Sequence, residues 1–253
     1  TPRRRTMSGA NVVFVGATRG MGRALARRMA DRGDRLFLLG RDRVALEHSA
    51  ADLGATGREP AGLAHLDLAD EASFGPALEA AEAALGRIDV VVVTAGAFAT
   101  QEELEADPEL AKQVLHVDFT ATVLFCERAR HRLMTAGGGT LVVFSSVAGD
   151  RGRKPVVLYG AAKAGLSHYL EGLDHRYRHQ GLTVVNVKPG FVKTGMTAGL
   201  DPPPFAGTPD QVAERVLRAI DRGRPIVYAP APWRLVMAAI RLLPRAVMRR
   251  VAF

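Results

Sequence analysis

Tyr159 and Lys163 stand four residues apart in Tyr-Gly-Ala-Ala-Lys. On a helix that spacing puts both side chains on one face. An ammonium beside a phenol favours the phenolate and lowers the tyrosine pKa. The phenol then becomes a usable general acid or base near neutral pH. Tyr-x-x-x-Lys alone is common and usually structural, so its surroundings matter. Ser146 lies 13 residues earlier, directly after an apolar run. A hydroxyl there can hydrogen-bond a carbonyl oxygen. Ser145 is its rival for that place.

For these residues to meet, the chain must fold back repeatedly, and its pattern provides for that. Apolar runs at Val12–Val15, Arg35–Leu39, Gly62–Leu66, Ile88–Val93, Leu141–Phe144, Thr183–Val187 and Ile226–Tyr228 read as strands. Helical patterns separate them at Ala24–Arg32, Ala72–Leu85, Glu109–Thr135, Tyr159–His179 and from Thr208-Pro209-Asp210 to Asp221. Strands alternating with helices predict an α/β fold, a doubly wound Rossmann-type parallel sheet of about seven strands with helices on both faces. The expected organisation is one domain over residues 1–253, with 233–253 as a basic amphipathic tail.

The first strand runs into Gly16-Ala17-Thr18-Arg19-Gly20-Met21-Gly22, ahead of a helix. Glycines there let backbone approach a pyrophosphate, and the helix N-terminus offers free N–H groups and partial positive charge. In dinucleotide folds an acid about 20 residues further on binds the ribose 2′-hydroxyl. The second strand instead ends at Leu39-Gly40-Arg41, and Arg19 lies inside the glycine loop. Two guanidinium groups and no carboxylate favour a 2′-phosphate, hence NADP(H). Asp42 is the counter-argument, should the strand end two residues later.

Together these pieces resemble the short-chain dehydrogenase/reductase family, in its single-domain branch, over about residues 11–230. Five features occur in order: the Gly16/Gly20/Gly22 loop, Asp67 after the third strand, Ala95-Gly96 after the fourth, Ser146 with Tyr159 and Lys163, and Pro189-Gly190-Phe-Val192-Lys-Thr194. The resemblance implies that the serine in that register, Ser146, steadies a carbonyl. It implies that Tyr159 passes the proton, and that Lys163 tunes Tyr159 and holds the nicotinamide ribose. It also implies that Asp67 contacts adenine and that Val192 and Thr194 hold the carboxamide. A homodimer or homotetramer is implied too. Two departures stand out. The usual Asn-Asn-Ala-Gly reads Val93-Thr94-Ala95-Gly96, which alters side-chain bonds that stiffen the sheet. The position of the family's catalytic asparagine, 41 residues before the tyrosine, is Asp118. An aspartate there either carries the same water-mediated relay or is a structural substitute; as a charge it would favour the Lys163 ammonium and oppose the Tyr159 phenolate.

The C-terminal half is further similar to the reductases of decaprenylphosphoryl keto-pentofuranose. The similarity lies in Ser145-Ser146-x-Ala148-Gly149-Asp150-Arg151-x-Arg153, in Pro189-Gly190-x-Val192-x-Thr194-x-Met196, and in Tyr228-Ala229-Pro230-Ala231-x-x-Arg234-x-Val236-Met237. It implies a bulky lipid-linked ketone. The alternatives are a soluble reductase of small or acyl ketones, or a cofactor-binding scaffold with little turnover, for which Asp118 speaks. Residues 194–208, with three prolines, are expected to form the substrate loop.

Net charge is +8, but only 5 of 34 basic residues are lysine and the arginines are spread along the chain. No zinc spacing, aromatic RNA-binding motif or basic zipper accompanies them, so no nucleic-acid partner is expected. Clusters remain at Arg3–Arg5 and in the tail. The single cysteine, Cys126, excludes an internal disulfide and reads as a buried hydrophobe. The seven histidines show no ligand spacing, so no metal site is expected. Val12–Val15 is too short for a signal peptide, Met7 suits a natural start, and no run is long enough to span a membrane; a cytoplasmic protein is expected. In the tail Arg234, Arg241, Arg245 and Arg249 form one helical stripe amid apolar residues, and Pro244 divides it into two short helices. That pattern suits either an amphipathic element at a membrane surface, with Trp233 at the interface, or a helix packed on its own subunit or a partner copy.

Overall fold

The computed structural model describes residues 9–197, 199, 201–203 and 205–251. The sequence features at Arg3–Arg5, Met7, Pro204 and Phe253, and the Met196 side chain, lie outside the described residues. The strands are β1 Asn11–Val15, β2 Arg35–Gly40, β3 Gly62–His65, β4 Val90–Val93, β5 Gly139–Phe144, β6 Leu182–Pro189 and β7 Ile226–Ala229. They form one seven-stranded sheet in the order β3-β2-β1-β4-β5-β6-β7. Every pairing is parallel.

β1 makes the doubly wound arrangement work. Its Val15 pairs with Leu39 of β2 on one side and Val93 of β4 on the other. Successive β1 residues face opposite layers, as strand geometry requires. Val12 and Phe14 join one core with Leu25, Met29, Val212 and Val216. Val13 and Val15 join the other with Phe74, Phe125, Leu166 and Leu170. Because both faces are covered, the central strands are continuous apolar runs.

The helices are α1 Gly20–Asp31, α2 Arg43–Gly54, α3 Phe74–Leu85, α4 Gln101–Ala106, α5 Pro108–Leu115, α6 Thr122–Thr135, α7 Val157–Tyr177, α8 Pro209–Arg222, α9 Trp233–Leu242 and α10 Arg245–Met248. Local chemistry sets several boundaries. Thr208 caps α8 in a reciprocal box with Gln211, and Gly223 ends it in the left-handed region. Thr100 and Glu103 form the same box on α4. Two elements differ from expectation. The segment 109–135 is not one regular helix, because a π-turn at His116–Ala121 joins α5 to α6. α2 carries no strong apolar stripe, burying only Leu46, Ser49 and Leu53.

The tail divides at Pro244, as its sequence predicts. It does not lie free of the body. Met237 is completely buried and Ile240 nearly so, against Val147 with Tyr228, Trp233 and Val236 around them. Burying one such side chain contributes about 1.5–3 kcal/mol.

Candidate active site

The carboxyl ends of β1, β4, β5 and β6 open onto one crevice, at the point where strand order reverses. In open α/β sheets this is where ligands bind. The glycine loop forms one wall. Gly16 has φ +91° and Gly20 φ +48°, conformations that L side chains rarely adopt. A Cβ at Gly16 would meet Thr94 Oγ1 at 2.6 Å, and one at Gly22 would strike the Gly16 carbonyl oxygen. The loop is folded on itself and leaves room for no side chain at Gly16 or Gly22. Thr94, the departure noted at the end of β4, clips it there: its hydroxyl bonds the Val15 oxygen at 3.1 Å and the Gly16 oxygen at 3.0 Å.

α1 begins at Gly20, so its first-turn N–H groups open toward the same crevice. Arg19 and Arg41 are both exposed at its rim. β2 ends at Gly40, and Asp42 is not an extension of it. The Asp42 side chain accepts from the Ala45 N–H at 3.0 Å and caps α2. Asp67 follows β3, half-buried, with one oxygen accepting from the Ala69 N–H. On the opposite wall Val192 is buried and bridges to Gly207. Thr194 approaches the glycine loop, with its methyl 3.3 Å from where a Gly20 Cβ would stand. These groups fit a dinucleotide: a cradle free of side chains, unsatisfied N–H donors and exposed cations.

The chemistry-bearing residues converge beyond the end of β5. Ser145 turns into the sheet, where its hydroxyl donates to Asn186 Oδ1 at 2.6 Å and it is buried. Ser146 faces the other way and accepts from the Ala148 N–H at 3.1 Å. Strand alternation thus sends the two serines to opposite sides, with Ser145 engaged in the sheet. Ser146 is also close enough to the Tyr159 hydroxyl to favour its ionised form. Lys163 Nζ lies 5.5 Å from the centre of the Tyr159 ring. Phe98 packs edge-on against the same ring, centroids 5.2 Å apart.

Asp118 sits in the π-turn, wholly buried. Its Oδ1 accepts from the Ala97 N–H at 2.9 Å and lies 3.2 Å from Lys163 Nζ. A Cβ at Gly96 would come within 2.7 Å of that oxygen, so Ala95-Gly96 must stay small for the pair to form. Asp118 Oδ2 is buried and has no hydrogen-bond partner among the described residues. The electrostatics of the cluster pull in opposite directions. Burial pushes the Tyr159 phenol up and Asp118 adds to it; Lys163 and Ser146 pull down less, and the net direction is upward. Burial alone would lower Lys163, but Asp118 and Tyr159 outweigh it and the ammonium is held above its ordinary range.

Several contacts were not visible in sequence. Lys188, nearly buried, bonds Asp150 at 2.5 Å, and the Tyr228 hydroxyl donates to the other Asp150 oxygen at 2.8 Å. Burial and Asp150 push Tyr228 up to about 12. Trp233, half-buried, has contacts within the fold. Its indole lies against Gly190 and its Nε1–H donates to the Phe205 carbonyl at 3.1 Å. Among the described residues no three His, Cys, Asp or Glu side chains gather as a metal site.

A parallel doubly wound sheet with a glycine-cradled switch point and a Ser–Tyr–Lys cluster defines a dinucleotide-type α/β enzyme fold. Comparison with known proteins makes this specific. The family described as short chain dehydrogenase matches residues 10–203. The uncharacterized oxidoreductase Rv2073c of Mycobacterium tuberculosis is 37% identical over 242 residues, 96% of this chain and 97% of that protein. The 3-oxoacyl-[acyl-carrier-protein] reductase FabG of Escherichia coli is 30% identical over 200 residues, 79% of this chain and 80% of that one. A crystal structure of a variant actinorhodin polyketide ketoreductase with NADPH superposes with TM-score 0.78 at 23% identity, covering 89% of this chain and 97% of that one. The chain belongs to the short-chain dehydrogenase family and is an oxidoreductase of it.

Proposed function

We propose that the protein is an NADPH-dependent reductase of a substrate ketone. The single observation behind this reading is the convergence of Ser146, Tyr159 and Lys163 at the crevice that the glycine loop borders. NADPH, when bound, supplies the hydride. The loop Gly16, Thr18, Arg19, Gly20, Met21 and Gly22 would hold its pyrophosphate, and Arg19 with Arg41 its 2′-phosphate. Asp67, Ala95 and Gly96 would border the adenosine side. Pro189, Gly190, Val192 and Thr194 would border the carboxamide, and Lys163 the nicotinamide ribose. Ser146 donates a hydrogen bond to the substrate carbonyl oxygen. Tyr159 gives that oxygen its proton, and a phenol held protonated is the state this direction needs. Lys163 opposes the cost of the phenolate left behind. Asp118 fixes the ammonium in place through the 3.2 Å contact.

The substrate we favour is a lipid-linked ketone, such as a polyprenyl-linked keto-sugar, over a small soluble one. Supporting it is the outer face of the tail: Leu235 and Leu242 are 76% and 84% exposed, beside the exposed Arg234 and Arg241. An apolar strip edged by cations suits peripheral contact with an anionic bilayer of a cytoplasmic protein. Among the described residues no helix is long and apolar enough to cross a membrane. We further propose a homodimer or homotetramer. The exposed Phe119 lies against Gly165 of α7, and Leu124 is exposed nearby in the chain, an apolar face suited to a second copy.

The test is NADPH oxidation against a carbonyl panel that includes lipid-linked sugars, with Tyr159→Phe beside the wild type. Turnover of a ketone that is lost in the variant, with NADPH still bound, supports the reading. No turnover of any carbonyl despite tight NADPH binding would favour the scaffold alternative.

A further inference from the structure

The family match ends at residue 203, yet the chain beyond it reaches the crevice from two sides. α9 docks through Met237 and Ile240 on Val147, the residue after Ser146. Arg151 Nη2 reinforces this by donating to the Leu243 carbonyl at 2.9 Å. At the start of the same helix the Trp233 ring rests on Gly190, so closely that a Cβ there would strike the indole. Its Nε1–H reaches the Phe205 carbonyl. Phe205 belongs to the segment that starts at Thr194 beside the glycine loop. The base of that segment is tied by Lys193 N to Gly207 O and Gly207 N to Phe191 O, each 2.9 Å. Thr197 further bonds the Val192 oxygen at 2.7 Å. The base is thus held by its own backbone, while Trp233 holds the returning arm.

We propose that Trp233 is a positioning residue for substrate binding. It fastens Phe205, next to the Val192–Gly207 bridge, to α9, whose other contact supports the Ser146 turn. The inference rests on the carbonyl-reduction reading and adds to it: the position of Phe205 beside Gly190, and so the affinity for the ketone, depends on one indole N–H beyond the matched residues. Chemistry at Tyr159 does not depend on it, since Tyr159 and Lys163 stand on α7.

Trp233→Phe keeps a ring on Gly190 and cannot donate; Trp233→His keeps an N–H on a smaller ring. In the full-length protein, with a ketone that the wild type reduces, Trp233→Phe is expected to raise KM about fivefold, the worth of one hydrogen bond. kcat should stay within about twofold and NADPH affinity should not move. Trp233→His should recover part of the KM. Amide hydrogen exchange over 199–207 should quicken in Trp233→Phe and return in Trp233→His. Wild-type KM and exchange in Trp233→Phe overturn the proposal. So does an equal loss of kcat, KM and thermal stability in both variants, which marks a purely structural tryptophan. If the wild type reduces no ketone, the carbonyl reading fails by itself; exchange still decides the latch, and unchanged protection overturns it.

Discussion

Asp118 Oδ1 stands 3.2 Å from Lys163 Nζ, with the two side chains 0% and 5% exposed. A buried pair of this kind offsets its own desolvation only when the remaining polar atoms are satisfied. Here Asp118 Oδ2 has no hydrogen-bond partner among the described residues. What the pair does set is the charge beside Tyr159, since Asp118 opposes the phenolate and Lys163 favours it.

The consequence is a pH effect with a defined sign. Asp118 raises the Tyr159 pKa. Reduction needs the protonated phenol, so its rate falls as pH rises through that pKa. In Asp118→Asn the carboxylate charge is gone, the Tyr159 pKa drops, and this fall is expected at lower pH. The reverse oxidation needs phenolate, so its rate should rise at lower pH than in the wild type. kcat itself should change by less than the ~10²–10⁴-fold that loss of a proton-transfer group removes. Superimposable pH–rate curves for the two proteins would take Asp118 out of the account.

Ser145 and Ser146 should behave oppositely. Ser145→Ala leaves the buried Asn186 carbonyl without its 2.6 Å donor. A loss of about 1–3 kcal/mol is expected, read as a lower denaturation midpoint, with kcat nearly kept. Ser146→Ala removes the proposed carbonyl donor, so kcat should fall at least about tenfold with stability nearly kept. If the two effects are exchanged, the assignment of the serines is wrong.

The cofactor prediction rests on an absence at the β2 end. Gly40 ends the strand and Asp42 caps α2 through one of its oxygens. NADPH should bind at least about tenfold tighter than NADH, roughly 1.4 kcal/mol. Arg19→Ala with Arg41→Ala should erase the difference while leaving NADH affinity unchanged. Fluorescence titration of the four combinations checks it, and equal affinities in the wild type would refute it.

Much of this was legible in the sequence because it depends on short-range pattern. Strands buried on both faces must be apolar runs, and helix α8 announces itself through Thr208-Pro209-Asp210. The glycine loop and the 159/163 spacing likewise place Tyr159 and Lys163 together. What escaped depends on distance in space. α2 was not read because Ser49 interrupts the face shared by Leu46 and Leu53. The π-turn was hidden because apolar periodicity runs on through it. The Lys188–Asp150–Tyr228 bonds join β6, the turn after β5 and β7, which no local window contains. The sequence left Trp233 between a membrane surface and a packed helix, and its contact with Gly190 joins residues 43 apart, which no local window contains.

The tail supplies the last prediction. Truncating it cannot separate its roles, since Met237 and Ile240 support Val147 beside Ser146. The outward residues can be changed alone. Leu235 and Leu242 stand seven apart on α9, two helical turns, and are exposed at 76% and 84%. Replacing both by glutamate removes apolar contact and adds negative charge without entering the core, so the thermal midpoint should barely move. If the face meets a membrane, the wild type should co-sediment with vesicles rich in anionic lipid and release them at high salt, because each arginine near such a surface contributes about 1 kcal/mol that salt screens. The Leu235→Glu, Leu242→Glu protein should stay in the supernatant. Its KM should rise for a lipid-linked ketone and not for a small soluble one. A wild type that ignores vesicles, paired with a double variant of altered oligomeric state, would instead assign this face to a second copy of the chain.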